Sequence, residues 1–71
     1  MHYPGMDSAS ATIPGDRLRR QREAYGITQA QVAGLLRHHR NTIAAWEQDA
    51  AVDVRRQRLY LAALRKLADA L

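Results

Sequence analysis

The stretch Gly26–Glu47, GITQAQVAGLLRHHRNTIAAWE, holds two helical periodicities separated by a basic interruption, RHHR at Arg37–Arg40. Thr28 followed by Gln31 is a capping box, in which the threonine hydroxyl meets the N–H three residues on and the glutamine side chain reaches back. Ile27 and Val32 flank it as a hydrophobic staple. Val32, Ala33, Leu35 and Leu36 carry the apolar pattern to about Leu36, where Arg37, His38 and His39 break it. Helical spacing resumes in RNTIAAWEQ, with Ile43 and Trp46 on one face and Arg40, Asn41, Ala44 or Ala45 and Gln48 turned elsewhere.

Working outward, GDRLRRQREAYG places Leu18, Arg22 and Tyr25 on one face, with Asp16 as N-cap and Gly26 as the stop, which predicts a helix over 17–25. Downstream, DAAV reads as a loop. Asp53 caps a last helix, VRRQRLYLAALRKLADAL, whose apolar face is Tyr60, Leu61, Leu64, Leu67, Ala68 and Leu71. Residues 1–14 carry two prolines, small polar side chains and no periodicity, and read as a flexible N-terminal arm. The expected fold is therefore all-α, a compact four- to five-helix domain over residues 15–71.

Composition narrows the function. The 71 residues suffice for one domain with a small, aliphatic core, since the chain has no phenylalanine and one tryptophan. Eleven basic residues against seven acidic ones leave a net charge of +4, the balance of a protein that meets nucleic acid or acidic surfaces. Ten of the eleven are arginine, whose planar fork of donors matches phosphate and guanine. The absence of cysteine removes thiolate chemistry and disulfides and fits a reducing compartment. With no signal-peptide pattern and no apolar run long enough to span a bilayer, a cytoplasmic location is expected.

Two short helices joined by a three- or four-residue turn form a helix-turn-helix. In its TQ at Thr28–Gln29, its small Ala33 and its Ile43 and Trp46, the stretch resembles the Cro and repressor class of regulators, the XRE-type family. The likeness runs without a gap from Arg17 to Glu47 and loosely through the last helix, and it implies a lambda-repressor-like domain. A fainter likeness, carried by YPG at Tyr3–Gly5, is to anti-CRISPR-associated repressors. The family likeness further implies that Ile43 and Trp46 are a buried pair and that Arg22 and Glu47 are a buried ion pair. The sequence departs from the family in the turn. Arg37 stands where glycine is usual, so the turn is either strained or differently shaped. His39 stands where Ser or Thr usually caps the third helix, and histidine is a poor cap, leaving Asn41 as the competing one.

A helix lying in the major groove reads bases with the side chains at its N-terminus. Arg40 and Asn41 are the principal candidates, arginine for guanine O6 and N7, asparagine for adenine N6 and N7. By resemblance Ala45 meets a thymine methyl, and His39 and Thr42 are secondary contacts. Phosphate contacts are expected from Gln29 and Thr28 at the start of the second helix, from Arg37 and His38 in the turn, and from Arg55 and Arg56. Adjacent His38 and His39 diverge by about 100° on a helix, and with no further ligand at suitable spacing neither metal nor cofactor is expected. No nucleophile stands near a base, so no enzyme is read.

One such module contacts few bases, and the family's solution is a two-fold dimer on an inverted-repeat operator. Leu61, Leu64, Ala68 and Leu71 are the candidate dimer interface, shared with the chain's own core. The expectation is a double-stranded DNA-binding regulator, a homodimeric (auto)repressor of a phage or mobile-element operon, with no membrane or small-molecule partner. The alternative is an antitoxin-type protein-interaction module working through the last helix. That reading requires a long apolar stripe exposed on it.

Overall fold

Helices begin where something satisfies their first free N–H groups, and a left-handed residue is one common way to end them. In the computed structural model, which describes residues 11–71, this yields α1 (Gly15–Ala24), α2 (Gln29–Leu36), α3 (Arg40–Gln48) and α4 (Val54–Asp69). The described residues are all-α, as the sequence requires. Their single β-bridge joins Ile13 and Val52.

Helix α1 starts two residues earlier than the sequence predicts, and Asp16 is not its cap. Pro14 precedes the helix with φ already at −64°, pre-set for helical geometry. The Gly15 N–H is satisfied across the molecule by the Asp49 carbonyl at 2.7 Å. Asp16 falls in the first turn and pairs with Arg19 and Arg20. Tyr25 is the C-cap rather than the last helical residue, and Gly26 takes φ 70°. At α2 the capping box is complete: the Gln31 N–H donates to Thr28 Oγ1 at 3.1 Å and the Thr28 N–H to Gln31 Oε1 at 2.8 Å. The turn after it is strained, because Arg37 sits at φ 61°, ψ 39°, where a Cβ crowds the following carbonyl. His39 caps α3 after all, its Nδ1 accepting from the Asn41 N–H at 3.0 Å, so Asn41 belongs to the helix. In α4 the Asp53 Oδ1 accepts from the Arg56 N–H, and the helix stops two residues before Leu71.

The core consists of Leu18, Ile27, Val32, Ala33, Ile43, Val52, Tyr60, Ala63 and Leu64. Both members of the staple, Ile27 and Val32, are in it. Ile43 is fully buried, whereas Trp46, the expected partner in a buried pair, is only half-buried and takes the His38 ring edge-on at 5.4 Å. The end of the expected arm also belongs to the domain. Ile13 and Val52 exchange backbone hydrogen bonds of 3.1 and 2.7 Å, and the Ala11 carbonyl accepts from Gln57 Nε2. The remainder of the arm, with His2 and Tyr3–Gly5, lies outside the described residues.

Arg22 and Glu47 form the buried ion pair that the family likeness implies, with Nε to Oε2 at 2.8 Å and Nη2 to Oε1 at 3.1 Å. The remaining guanidinium donor reaches the Ile27 carbonyl at 2.9 Å. Tyr60 donates its hydroxyl to the same carboxylate, and Gln29 Nε2 donates to Oε1 at 2.9 Å. Glu47 thus ties together all four helices. Burial alone pushes the Glu47 carboxyl upward, but donors from Arg22, Tyr60 and Gln29 outweigh it and hold the group below its ordinary value. Burial, then the hydrogen bond to Glu47 and its charge, push the Tyr60 phenol well up. Removing one partner of such a pair strands the other charge in the core, at a cost of about 3–5 kcal/mol.

Because the folded carboxylate binds its proton less tightly than the unfolded one, Glu47 stabilises the fold above about pH 4.3 and that contribution is lost as acid protonates it. Tyr60 acts in the opposite sense: its folded form holds the proton, so its contribution fades above about pH 10. Thermal melts should show a plateau from about pH 5 to 10 with declines on both sides; Tyr60→Phe should remove the alkaline decline, and a wild-type melting temperature unchanged from pH 7 to 3 would contradict the role of Glu47.

Two glycines make opposite predictions. A Cβ on Gly15 would lie 1.9 Å from the Trp46 carbonyl oxygen, so α1 and α3 approach backbone to backbone there. Gly15→Ala should cost at least about 1–3 kcal/mol. Gly34 is helical with open space at its Cβ, so Gly34→Ala should add about 0.5–1 kcal/mol. Chemical denaturation of the two variants checks both signs.

Candidate nucleic-acid interface

Arg37, His38 and His39 form a three-residue turn between α2 and α3. All three are exposed. Helix α3 is divided by its period: Ile43 and Glu47 are buried, Thr42 and Ala44 half-buried, and Arg40, Asn41, Ala45 and Gln48 exposed. Asn41, Ala45 and Gln48, spaced by four and three residues, make one outward row, with Arg40 beside its start. Gln48, seven residues after Asn41, completes that exposed row.

Arg40 is braced from behind. Its Nη1 reaches Gln29 Oε1 at 3.4 Å, while Gln29 Nε2 donates to Glu47. The Gln29 side chain, expected on phosphate, therefore bridges Arg40 and the buried ion pair. Its partner Thr28 is exposed, with its hydroxyl engaged in the capping box. His39 is likewise committed through Nδ1 to the cap, leaving only Nε2 free.

Electrostatic pairing sorts the cations. Asp16, Glu23, Glu47, Asp49 and Asp53 are each matched by arginine: Arg19 and Arg20 in α1, Arg22 in the core, and Arg56. Arg56, expected on phosphate, is an ion-pair partner within the molecule. Its guanidinium is bound by Asp49 at 2.9 Å and Asp53 at 3.1 Å, contacts that raise its already high pKa, the Asp49 hydrogen bond most of all. Asp49 is itself held low, first by the Ala51 N–H and then by Arg56. With those charges neutralised locally, the positive excess falls on exposed side chains that include Arg37, Arg40 and Arg55.

Of the four residues proposed for a dimer interface, Leu64 is 1% exposed and belongs to the chain's own core, because α4 turns that side onto the rest of the bundle. Leu61 and Ala68 are half-buried, and Leu71 is 83% exposed. Exposed Tyr25 and Gln21 line a shallow groove with Leu61, Leu64 and Arg65. Among the described residues there is no cluster of three potential metal ligands. No described helix is long and apolar enough to cross a membrane.

A helix-turn-helix family model matches residues 18–71, from the first helix through the last. No curated protein and no solved structure matches the chain. The matched span contains the capping box, the turn, the outward row of α3 and the buried Arg22–Glu47 pair, so the chain belongs to the XRE-type helix-turn-helix family and is a DNA-binding transcription regulator.

Proposed function

We propose that this regulator is a homodimeric repressor that reads an inverted-repeat operator, in the manner of phage and mobile-element regulators that control their own operons. The observation that carries this reading is the exposure of Arg40, Asn41 and Ala45 on a short helix whose opposite face, Ile43 and Glu47, is locked in the core. A helix held so firmly from behind presents its outward row as a rigid unit, which recognition of base edges requires. Arg40 donates to guanine O6 and N7, Asn41 pairs with adenine, and Ala45 meets a thymine methyl, with Thr42 and the free side of His39 secondary. Arg37, His38, Arg55 and the start of α2 at Thr28 and Gln29 face phosphates.

Two copies bring two such helices onto half-sites about 34 Å apart. Leu71, the half-buried Leu61 and Ala68, and neighbouring Tyr25 supply the apolar surface for that pairing. Bound across a promoter in the cytoplasm, the dimer represses by occupancy. The antitoxin alternative is less well supported, since α4 buries Tyr60, Ala63 and Leu64 and leaves Leu59 as its exposed large apolar residue, with Leu71 just beyond its end.

Selection of bound duplexes from a random pool tests the readout. Wild type should enrich one inverted repeat, and Arg40→Ala should relax a single base pair per half-site at a cost of about 1–3 kcal/mol; equal loss on selected and random DNA would remove Arg40 from base recognition. For the assembly, sedimentation should report a dimer that Leu71→Asp dissociates while leaving the far-ultraviolet helix signal intact. A wild-type monomer both alone and on operator DNA counts against it.

A further inference from the structure

The chain ends two helices with a left-handed residue and builds them differently. After α1 the residue is Gly26, at φ 70°. After α2 it is Arg37, at φ 61°, the only non-glycine residue with positive φ among the described residues. Glycine adopts this conformation freely, whereas a residue with a Cβ is strained in it. The backbone at Arg37 does ordinary helix-ending work, with its own N–H on the Gly34 carbonyl at 3.3 Å and the next, His38, on the Ala33 carbonyl at 2.9 Å. Glycine would make both bonds equally well. The arginine side chain returns nothing within the molecule, being exposed and without a hydrogen bond or ion pair to any described residue. Arg19, Arg20, Arg22 and Arg56, by contrast, are all engaged by carboxylates.

We infer that Arg37 is a DNA-phosphate contact retained against its own backbone, so that the turn exchanges fold stability for duplex affinity. This rests on the DNA-binding reading above and deepens it. The guanidinium is projected from the residue that links the two motif helices, three residues before Arg40, and strain without an internal return at such a position marks a functional constraint. A phosphate oxygen, not a base edge, is the partner of a side chain held in the turn outside the helix that reads the groove.

The experiment uses the full chain as wild type, Arg37→Gly, Arg37→Asn and Arg37→Lys, with thermal melting and duplex binding measured over a salt series on selected and random DNA. Arg37→Gly should melt several degrees higher than wild type, bind both DNAs more weakly, and lower the slope of log affinity against log salt by about one. Arg37→Asn, neutral but tolerant of the left-handed region, should lose the same slope. Arg37→Lys should keep both the slope and the wild-type melting temperature. An Arg37→Gly protein that binds with the wild-type slope overturns the contact, and one that melts no higher overturns the strain. If wild type binds no duplex at all, the DNA-binding reading itself fails, an outcome distinct from loss confined to the variant.

Discussion

The carboxylate of Glu47 is the constraint on which the rest of the molecule depends. It is buried with Arg22, a residue of another helix, and accepts further hydrogen bonds from Gln29 and Tyr60 on the other two. An isolated charge in that position would be expelled or neutralised, since burial disfavours ionisation. With every donor in place the ionised form wins, and no described buried side-chain nitrogen or oxygen lacks a partner. Such a network is satisfied in one arrangement of the helices, so it specifies orientation as well as contributing stability.

That orientation decides what α3 presents to the outside. Glu47 and Ile43 face inward on the same side of the helix, so fixing them fixes Asn41, Ala45 and Gln48 outward. Gln29 extends the network one step further, because the amide that donates to Glu47 also receives Arg40. The backbone contact at Gly15 holds α1 against the end of α3 from another side. A helix of nine residues such as α3 is too short to be stable alone; here tertiary contacts hold it and leave its outward row exposed.

Charge is distributed by the same logic. The carboxylates that cap helices or pair within them consume Arg19, Arg20 and Arg56, while Arg37 and Arg40 beside α3 have no described carboxylate of their own. Exposed Arg37 and Arg40 thus carry their charge at the start of α3, as Arg17, Arg55, Arg58, Arg65 and Lys66 do elsewhere on the surface.

Much of this was legible in the chain because it is local. The Thr28–Gln31 capping box, the staple of Ile27 and Val32, the Gly26 stop and the Asp53 cap each act over five residues or fewer, so their geometry follows from side-chain chemistry and helix period alone. The Arg22–Glu47 pair and the outward row of α3 followed from resemblance and periodicity. What required the tertiary structure were features whose partners are remote in sequence: Tyr60 on Glu47, Gly15 against the Trp46 carbonyl, Ile13 bridged to Val52, and Leu64 claimed by the core instead of a partner. The diversion of Arg56 to Asp49 was settled likewise by which acceptor lay within about 3 Å once the helices had packed, whereas His39 caps α3 through a contact only two residues away. A period of 3.6 residues can say which side of a helix is apolar, but only the folded chain says what covers that side, because cover is a distance between segments and the linear order carries none.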